Sequence, residues 1–343
     1  MKWIHQAEVI YETKFKLTPE LNALKNLELV FEGLDTYANI SINGEYVKAT
    51  NNSFVKYTIP LVNLKKDNQE NTIRIVFSPS QKVDTEGQKT TRLPFAYGHS
   101  RKAPYQYGWD WAPELITVGI WRPAYILGFE KARIDYVWAR NRFISNEKAI
   151  LNFATVLHKA PKATPISAVE EILTFDVAVL LENKVLGSVS CKETDCYIDV
   201  EIIQPKLWWP RSAGTPNMYN FTVQVKQNNV LIESRRIPYG IRTVELNQTK
   251  GAFQFIVNGY PVYAKGANYV PADMMHPRFA NPVHKPAYTV EQMFADIAES
   301  NINMIRIWGG GQYETDEFYE LASRYGIMLF SDFMFSVNTY PGS

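Results

Sequence analysis

Residues 101–123, RKAPYQYGWDWAPELITVGIWRP, concentrate the side chains best suited to handling a neutral polyol. Tyr105, Tyr107, Trp109 and Trp111 crowd around Asp110, with Arg101 and Arg122 near the ends of the run. Aromatic faces match the apolar face of a sugar ring, and a carboxylate fixed among them can accept paired hydrogen bonds from neighbouring hydroxyls. The same residues would also serve as core aromatics of a β-sandwich with Asp110 at a turn. The elements that carry them have to decide.

The totals narrow the choice. A chain of 343 residues exceeds one ordinary core and implies two or three domains. With 36 basic and 35 acidic side chains there is no net field to attract nucleic acid or an anionic membrane, and no basic run with interleaved aromatics. No apolar run approaches the roughly 18 residues that span a bilayer. Residues 1–5 lead straight into strand-like sequence without the apolar core of a signal peptide, so no export address is expected in the chain as written. A small neutral partner fits best.

Two cysteines, Cys191 and Cys196, flank a polar turn between alternating runs at 185–190 and 197–200, which reads as a β-hairpin able to form a cross-strand disulfide. Neither a metal nor a cofactor is expected, because only five histidines are present and none lies near the cysteines. Glycosylation sequons occur at Asn39, Asn51, Asn220 and Asn247.

Three textures follow one another. Over 1–129 short alternating runs at 9–11, 27–31, 38–42 and 72–77, with a turn at Asn43-Gly44, predict a β-sandwich and no nucleotide-binding fold. Over 130–245 runs near 149–157, 173–181, 197–202, 219–226 and 230–236 predict an immunoglobulin-like sandwich acting as a spacer, interrupted by Trp208-Trp209-Pro210. Residues 160–165 read as a loop inside it.

Over 246–343 the period changes. After strands at 254–257 and 263–268, a helix capped by Thr289, a strand at 304–308, a helix over 315–325 and a strand at 327–330 predict βα units. The last three strands would begin a (β/α)8 barrel that is incomplete in this chain. Working residues of such barrels lie at the carboxyl ends of strands. Those places hold Asn268, Trp308 with Gly309-Gly310-Gly311, and Asp332. The glycines are expected to let the backbone bend beneath a bound ring. Arg306 must find a partner, for which Asp332 is placed, whereas Glu314 and Glu317 read as helix-dipole and solvent-face residues.

These stretches resemble one family, the β-mannosidases of the multidomain glycosidase clan that also holds the β-galactosidases and β-glucuronidases. The resemblance is carried by LVFEGLDTYANISING at 29–44, RKAPYQYGWDWAP at 101–113, GIWRP at 119–123, KGANYVPAD at 265–273, NMIRIWGGGQYE at 303–314 and GIMLFSDFMF at 326–335. It implies a jelly-roll sugar-binding domain, an immunoglobulin-like domain and a catalytic barrel. Trp109, Asp110, Trp111, Asn268 and Trp308 would line the pocket for a terminal mannose of an oligosaccharide, with Arg306 and Asp332 behind them. Ala112 stands where glycine is common, and Phe330-Ser331 where Trp-Gln is common. The family's two catalytic glutamates, one following an asparagine, have no counterpart here, since the Asn146-Glu147 pair falls in the middle region. Both are therefore expected beyond this chain, and early jelly-roll strands before it. A lysosomal location is implied by the animal members, and the oligomeric state stays open. A galactose or glucuronate preference ranks lower, because no dedicated cationic pocket can be identified.

Overall fold

The computed structural model describes residues 3–91, 93–160, 173–280, 288–336 and 338–341. In the first sandwich, one sheet has the order Val9–Phe15, Asn71–Phe77, Ala38–Ile42, Glu45–Ala49, and the facing sheet Tyr57–Pro60, Asn26–Phe31, Ala124–Phe129. All these pairings are antiparallel, and the inward positions Leu29, Phe31, Ile40, Ile59, Ile75 and Phe77 fill the core. Asn43 and Gly44 both take positive φ, 51° and 85°, as a tight hairpin turn requires. The expectation of strands alone fails at Ser80–Thr90, which is helical. Glu28 also breaks the alternation, since it is buried against Arg133 and His158 of the second sandwich.

That second sandwich pairs Ala132–Ile144, Lys148–Lys159 and Asp195–Ile203 in one sheet, and Lys184–Cys191, Phe175–Leu181, Tyr219–Gln227 and Val230–Tyr239 in the other. Phe153, Phe175, Phe221, Val177 and Leu151 close the space between them. The predicted hairpin around the cysteines is corrected here, because Lys184–Cys191 and Asp195–Ile203 belong to opposite sheets. Cys191 and Cys196 are bonded with 5.9 Å between their Cα atoms, so the disulfide joins the sheets at a corner of the sandwich. The loop expected at 160–165 lies, beyond Ala160, outside the described residues.

Trp208 ends the alternation because it leaves the second sandwich. Its buried indole packs with Val257, Val262 and Met328, and its Nε1 donates to the Ser323 carbonyl at 2.7 Å. A small antiparallel meander, Val244–Asn247, Gln254–Val257, Tyr260–Val262, straddles residues 245 and 246. Beyond it, Gly266–Tyr269, Met304–Ile307 and Met328–Ser331 pair in parallel and in that order. Helices Val290–Glu299 and Asp316–Tyr325 cover them, burying Phe294, Phe318 and Leu321 against Ile305 and Ile307. Thr289 and Thr315 cap these helices by accepting from the backbone N–H of Gln292 and Phe318. Among the described residues the parallel strands form an open three-stranded sheet, not a closed barrel.

Candidate functional site

The aromatic loop is a chain of short turns. Pro104–Tyr107 forms one turn of 3-10 helix, and Gly108 follows at φ 101°. Trp109 and Ala112 then exchange both backbone hydrogen bonds, at 2.8 and 3.1 Å, leaving Asp110 and Trp111 at the tip of a tight turn. Asp110 is thus a turn residue and is exposed, so its carboxylate is available to a ligand.

Buried polar contacts fix the base of this loop. Lys102 donates to the Thr117 carbonyl at 2.6 Å and pairs with Asp35 at 2.9 Å, and both side chains are almost wholly buried. Asp35 also accepts from the Thr117 hydroxyl at 2.7 Å. Asp84, on helix Ser80–Thr90, accepts from Ser100 at 2.5 Å and Tyr107 at 2.6 Å. Burial raises the Asp84 carboxyl above its ordinary pKa, against those two hydrogen bonds and the charges of Lys102 and His99. Burial likewise pushes the Tyr107 hydroxyl well up.

The loop crosses to the parallel sheet. Tyr105 donates from its backbone to Gly310 at 3.2 Å and from its hydroxyl to Met274 at 3.3 Å. Arg101 donates to the Met334 carbonyl at 2.7 Å, and its guanidinium lies over the rings of Phe335, Phe54 and Tyr340 at 4.0, 5.1 and 5.5 Å. Trp308, just past strand Met304–Ile307, meets Trp109 at 5.3 Å between ring centroids and Trp111 edge-on at 6.2 Å. Tyr105 stacks on Trp111 at 5.4 Å. Of the predicted residues, Trp109, Trp111 and Trp308 therefore form one cluster.

Arg306, Asp332 and Asn268 form a second group at the same strand ends. Register aligns Asn268 with Arg306 across the sheet. Arg306 binds both oxygens of Asp332, at 3.1 and 2.6 Å, and donates to Asn268 at 3.1 Å. Asp332 also accepts from the Gly309 backbone at 3.0 Å. The glycines answer to crowding inside the chain. A Cβ on Gly310 would stand 2.2 Å from the Trp308 ring, so the ring lying over the backbone is the protein's own.

One expectation is overturned. Glu314 is not a solvent-face residue; it is buried and paired with His276 at 2.8 Å, while Glu317 is exposed in the first helical turn as expected. Arg122 reaches across from the first sandwich to the carbonyls of Tyr313 and Glu314, at 2.5 and 2.9 Å, and burial lowers its pKa despite the nearby Glu314. The pairs Lys102–Asp35 and His276–Glu314 join residues far apart in sequence and left no local pattern to find. A cavity of about 380 Å³ lies on this side of the seam, lined by Tyr105, Trp121, Met274, His276 and Gln312, but not by the tryptophan cluster. Among the described residues no group of three or more His, Cys, Asp or Glu stands ready for a metal.

Two sandwiches followed by βα units, with an aromatic loop of the first laid on strand ends of the third, is a glycosidase architecture, and the matches agree. Residues 1–122 fit the family model described as glycosyl hydrolase 2 galactose-binding domain-like, and residues 132–242 that of glycosyl hydrolases family 2. The chain belongs to glycosyl hydrolase family 2. Within it the similarity is to β-mannosidases. The mouse β-mannosidase is 29% identical over 378 residues, and β-mannosidase A of Emericella nidulans 31% over 386, each covering 99% of this chain. The crystal structure of a β-D-mannosidase from Dictyoglomus thermophilum covers all of it at 30% identity with a TM-score of 0.86. The chain spans about 40% of the length of those sequence relatives and 42% of that structure.

Proposed function

We propose that this chain forms the glycone-recognising part of a β-mannosidase, an exo-acting retaining enzyme that removes terminal non-reducing β-D-mannose from oligosaccharides. The observation that carries the reading is the Trp109–Trp308 contact, which brings exposed Asp110 beside the carboxyl ends of the parallel strands. On this reading Trp109, Trp111 and Trp308 offer faces to the mannose ring, and Asp110 and Asn268 take its hydroxyls. Arg306 and Asp332 hold Asn268 in place. The similarity of the whole chain to β-mannosidases supports this choice of sugar.

Retaining hydrolysis needs two carboxylates about 5–5.5 Å apart, one nucleophile and one acid/base. Asp332 is held by Arg306 and Asp273 by Arg278, so neither is free for that work. The reading therefore places the catalytic glutamates, and the closed barrel, in sequence following this chain. It also takes the three textures as the domains 1–129, 130–245 and 246–343, and a lysosomal setting in which exposed Asn39, Asn51 and Asn220, and part-exposed Asn247, can carry glycans.

The test is calorimetric titration of the 343-residue chain with methyl β-D-mannoside and methyl β-D-galactoside. Binding of the mannoside alone, lost in Asp110→Ala, is the expected result; equal binding of both, or none, sinks the assignment of the pocket. A second reading, a carbohydrate-binding remnant without catalysis, predicts that the full-length transcript adds no further barrel glutamates.

A further inference from the structure

The outer face of the three-stranded sheet in the second sandwich carries aromatics that its core does not need. A bulge between Ile134 and Tyr136 resets the alternation, so that Ile134, Leu151, Phe153, Ile198 and Val200 turn inward, and Tyr136, Trp138 and Tyr197 outward. These three are 54%, 55% and 57% exposed, on a face where a half-buried sheet ordinarily presents polar residues. Register puts Trp138, Ala154 and Tyr197 in one rung across the three strands. The two aromatics therefore stand two strand spacings apart, about 9.5 Å at the backbone, with only a methyl group between them.

The neighbouring rung is Arg140, Asn152 and Asp199. Arg140 donates to the Asn152 side chain at 3.1 Å, and Asn152 donates to Asp199 at 2.6 Å. Asn152 is buried beneath its neighbours, so the guanidinium and carboxylate are held rather than free. Arg142 stands 3.3 Å from Asp199, and the Arg140 guanidinium lies 5.0 Å from the centre of the Trp138 ring.

We propose that this face is a binding platform for an extended, uncharged β-linked glycan chain, separate from the Trp109 cluster. Two aromatic side chains on one rung, far enough apart to take non-adjacent sugars, match the apolar faces of pyranoses lying along it. The fixed row of guanidinium, amide and carboxylate supplies donors and acceptors for the hydroxyl rim. Because cations and anion stand together in that row, no isolated positive field selects a phosphate or an acidic partner. The apolar part of the face spans two rungs, Trp138–Ala154–Tyr197 and Tyr136–Val156, with Asp195 on one side and the ionic row on the other, narrower than the broad apolar centre that a protein interface of ordinary size wants.

The experiment is native electrophoresis of the 343-residue chain in gels with and without soluble galactomannan, whose backbone is a β-1,4-mannan carrying galactose branches. Retardation by the polysaccharide is expected, weakened about tenfold or more in Trp138→Ala and in Tyr197→Ala by loss of ring contacts. It should be retained in Trp138→Tyr and in Asp110→Ala. Both truncated side chains are exposed, so unchanged circular dichroism and melting will certify the fold. Equal mobility with and without galactomannan overturns the proposal. So does retardation lost in Trp109→Ala but kept in Trp138→Ala, which gives the glycan to the loop cluster. Self-association that disappears in Trp138→Ala overturns it too, in favour of a second copy of the chain. Methyl β-D-mannoside binding is read separately, so failure of the pocket assignment and failure of the platform are distinguishable.

Discussion

The interior of the second sandwich and the seam beneath the aromatic loop are both buried, yet they are built oppositely. The sandwich interior is an apolar layer of Phe153, Phe175, Phe221 and valines from facing strands. The seam is stitched by Lys102–Asp35, His276–Glu314, Asp84 with Ser100 and Tyr107, and Arg101 among three rings. Apolar layers tolerate volume-conserving change, whereas each buried polar pair stabilises only while both members are present. The region proposed to carry recognition is therefore the one where single substitutions do most to alter geometry.

The sharpest test sets one interior against the other. Phe153→Ala should cost about 3–5 kcal/mol through the cavity it leaves, while the conservative Phe153→Leu costs far less. Lys102→Met should cost about as much, about 3–5 kcal/mol, because Asp35 is left buried without its cation. Adding Asp35→Leu to Lys102→Met should recover a large part of that loss, which no second substitution near Phe153 can imitate. Chemical denaturation of the four variants reads all of this. Recovery absent in the double variant would break the distinction.

Gly310→Ala comes next. Its new methyl displaces the Trp308 ring at a cost of about 1–3 kcal/mol, as overpacking does. It should also separate Trp308 from Trp109, measured as a change in tryptophan fluorescence together with weaker mannoside binding. A smaller effect is expected in the pH dependence of stability. Asp84 has a folded pKa above its unfolded one, so it keeps its proton longer when folded. Its contribution is full below the ordinary carboxylate range and falls as pH rises through the folded value. Asp84→Asn should flatten that decline in melting temperature. The smallest effect belongs to Arg236→Ala, which breaks an exposed pair with Glu320 and should cost less than about 1 kcal/mol.

The same contrast explains what could be read from residues alone. Strands with one wet face announce themselves by period two, and Ala38–Ile42 and Asp195–Ile203 follow it residue by residue. The threonine cap at 289 marks the first long helix of the βα segment for the same local reason, whereas the cap at Thr315 comes from the structure. Sheet membership is not local, which is why the cysteine segment was expected as a hairpin although its strands lie in opposite sheets. The Arg306–Asp332 pair was legible because both sit at the ends of neighbouring parallel strands. The position of Glu314 before a helix suggests solvent, and only His276, 38 residues earlier, explains its burial. Helix Ser80–Thr90 has few apolar residues to mark a face, so its period was invisible.

The bond between Cys191 and Cys196 has a consequence for the history of each molecule. Both sulfurs lie inside the sandwich, so an external thiol can attack only when that corner opens. Chains that fold under oxidising and under reducing conditions will exchange states slowly once folded. The fraction of oxidised cysteine in protein taken from cells is thus a durable chemical record of the compartment in which it first became compact.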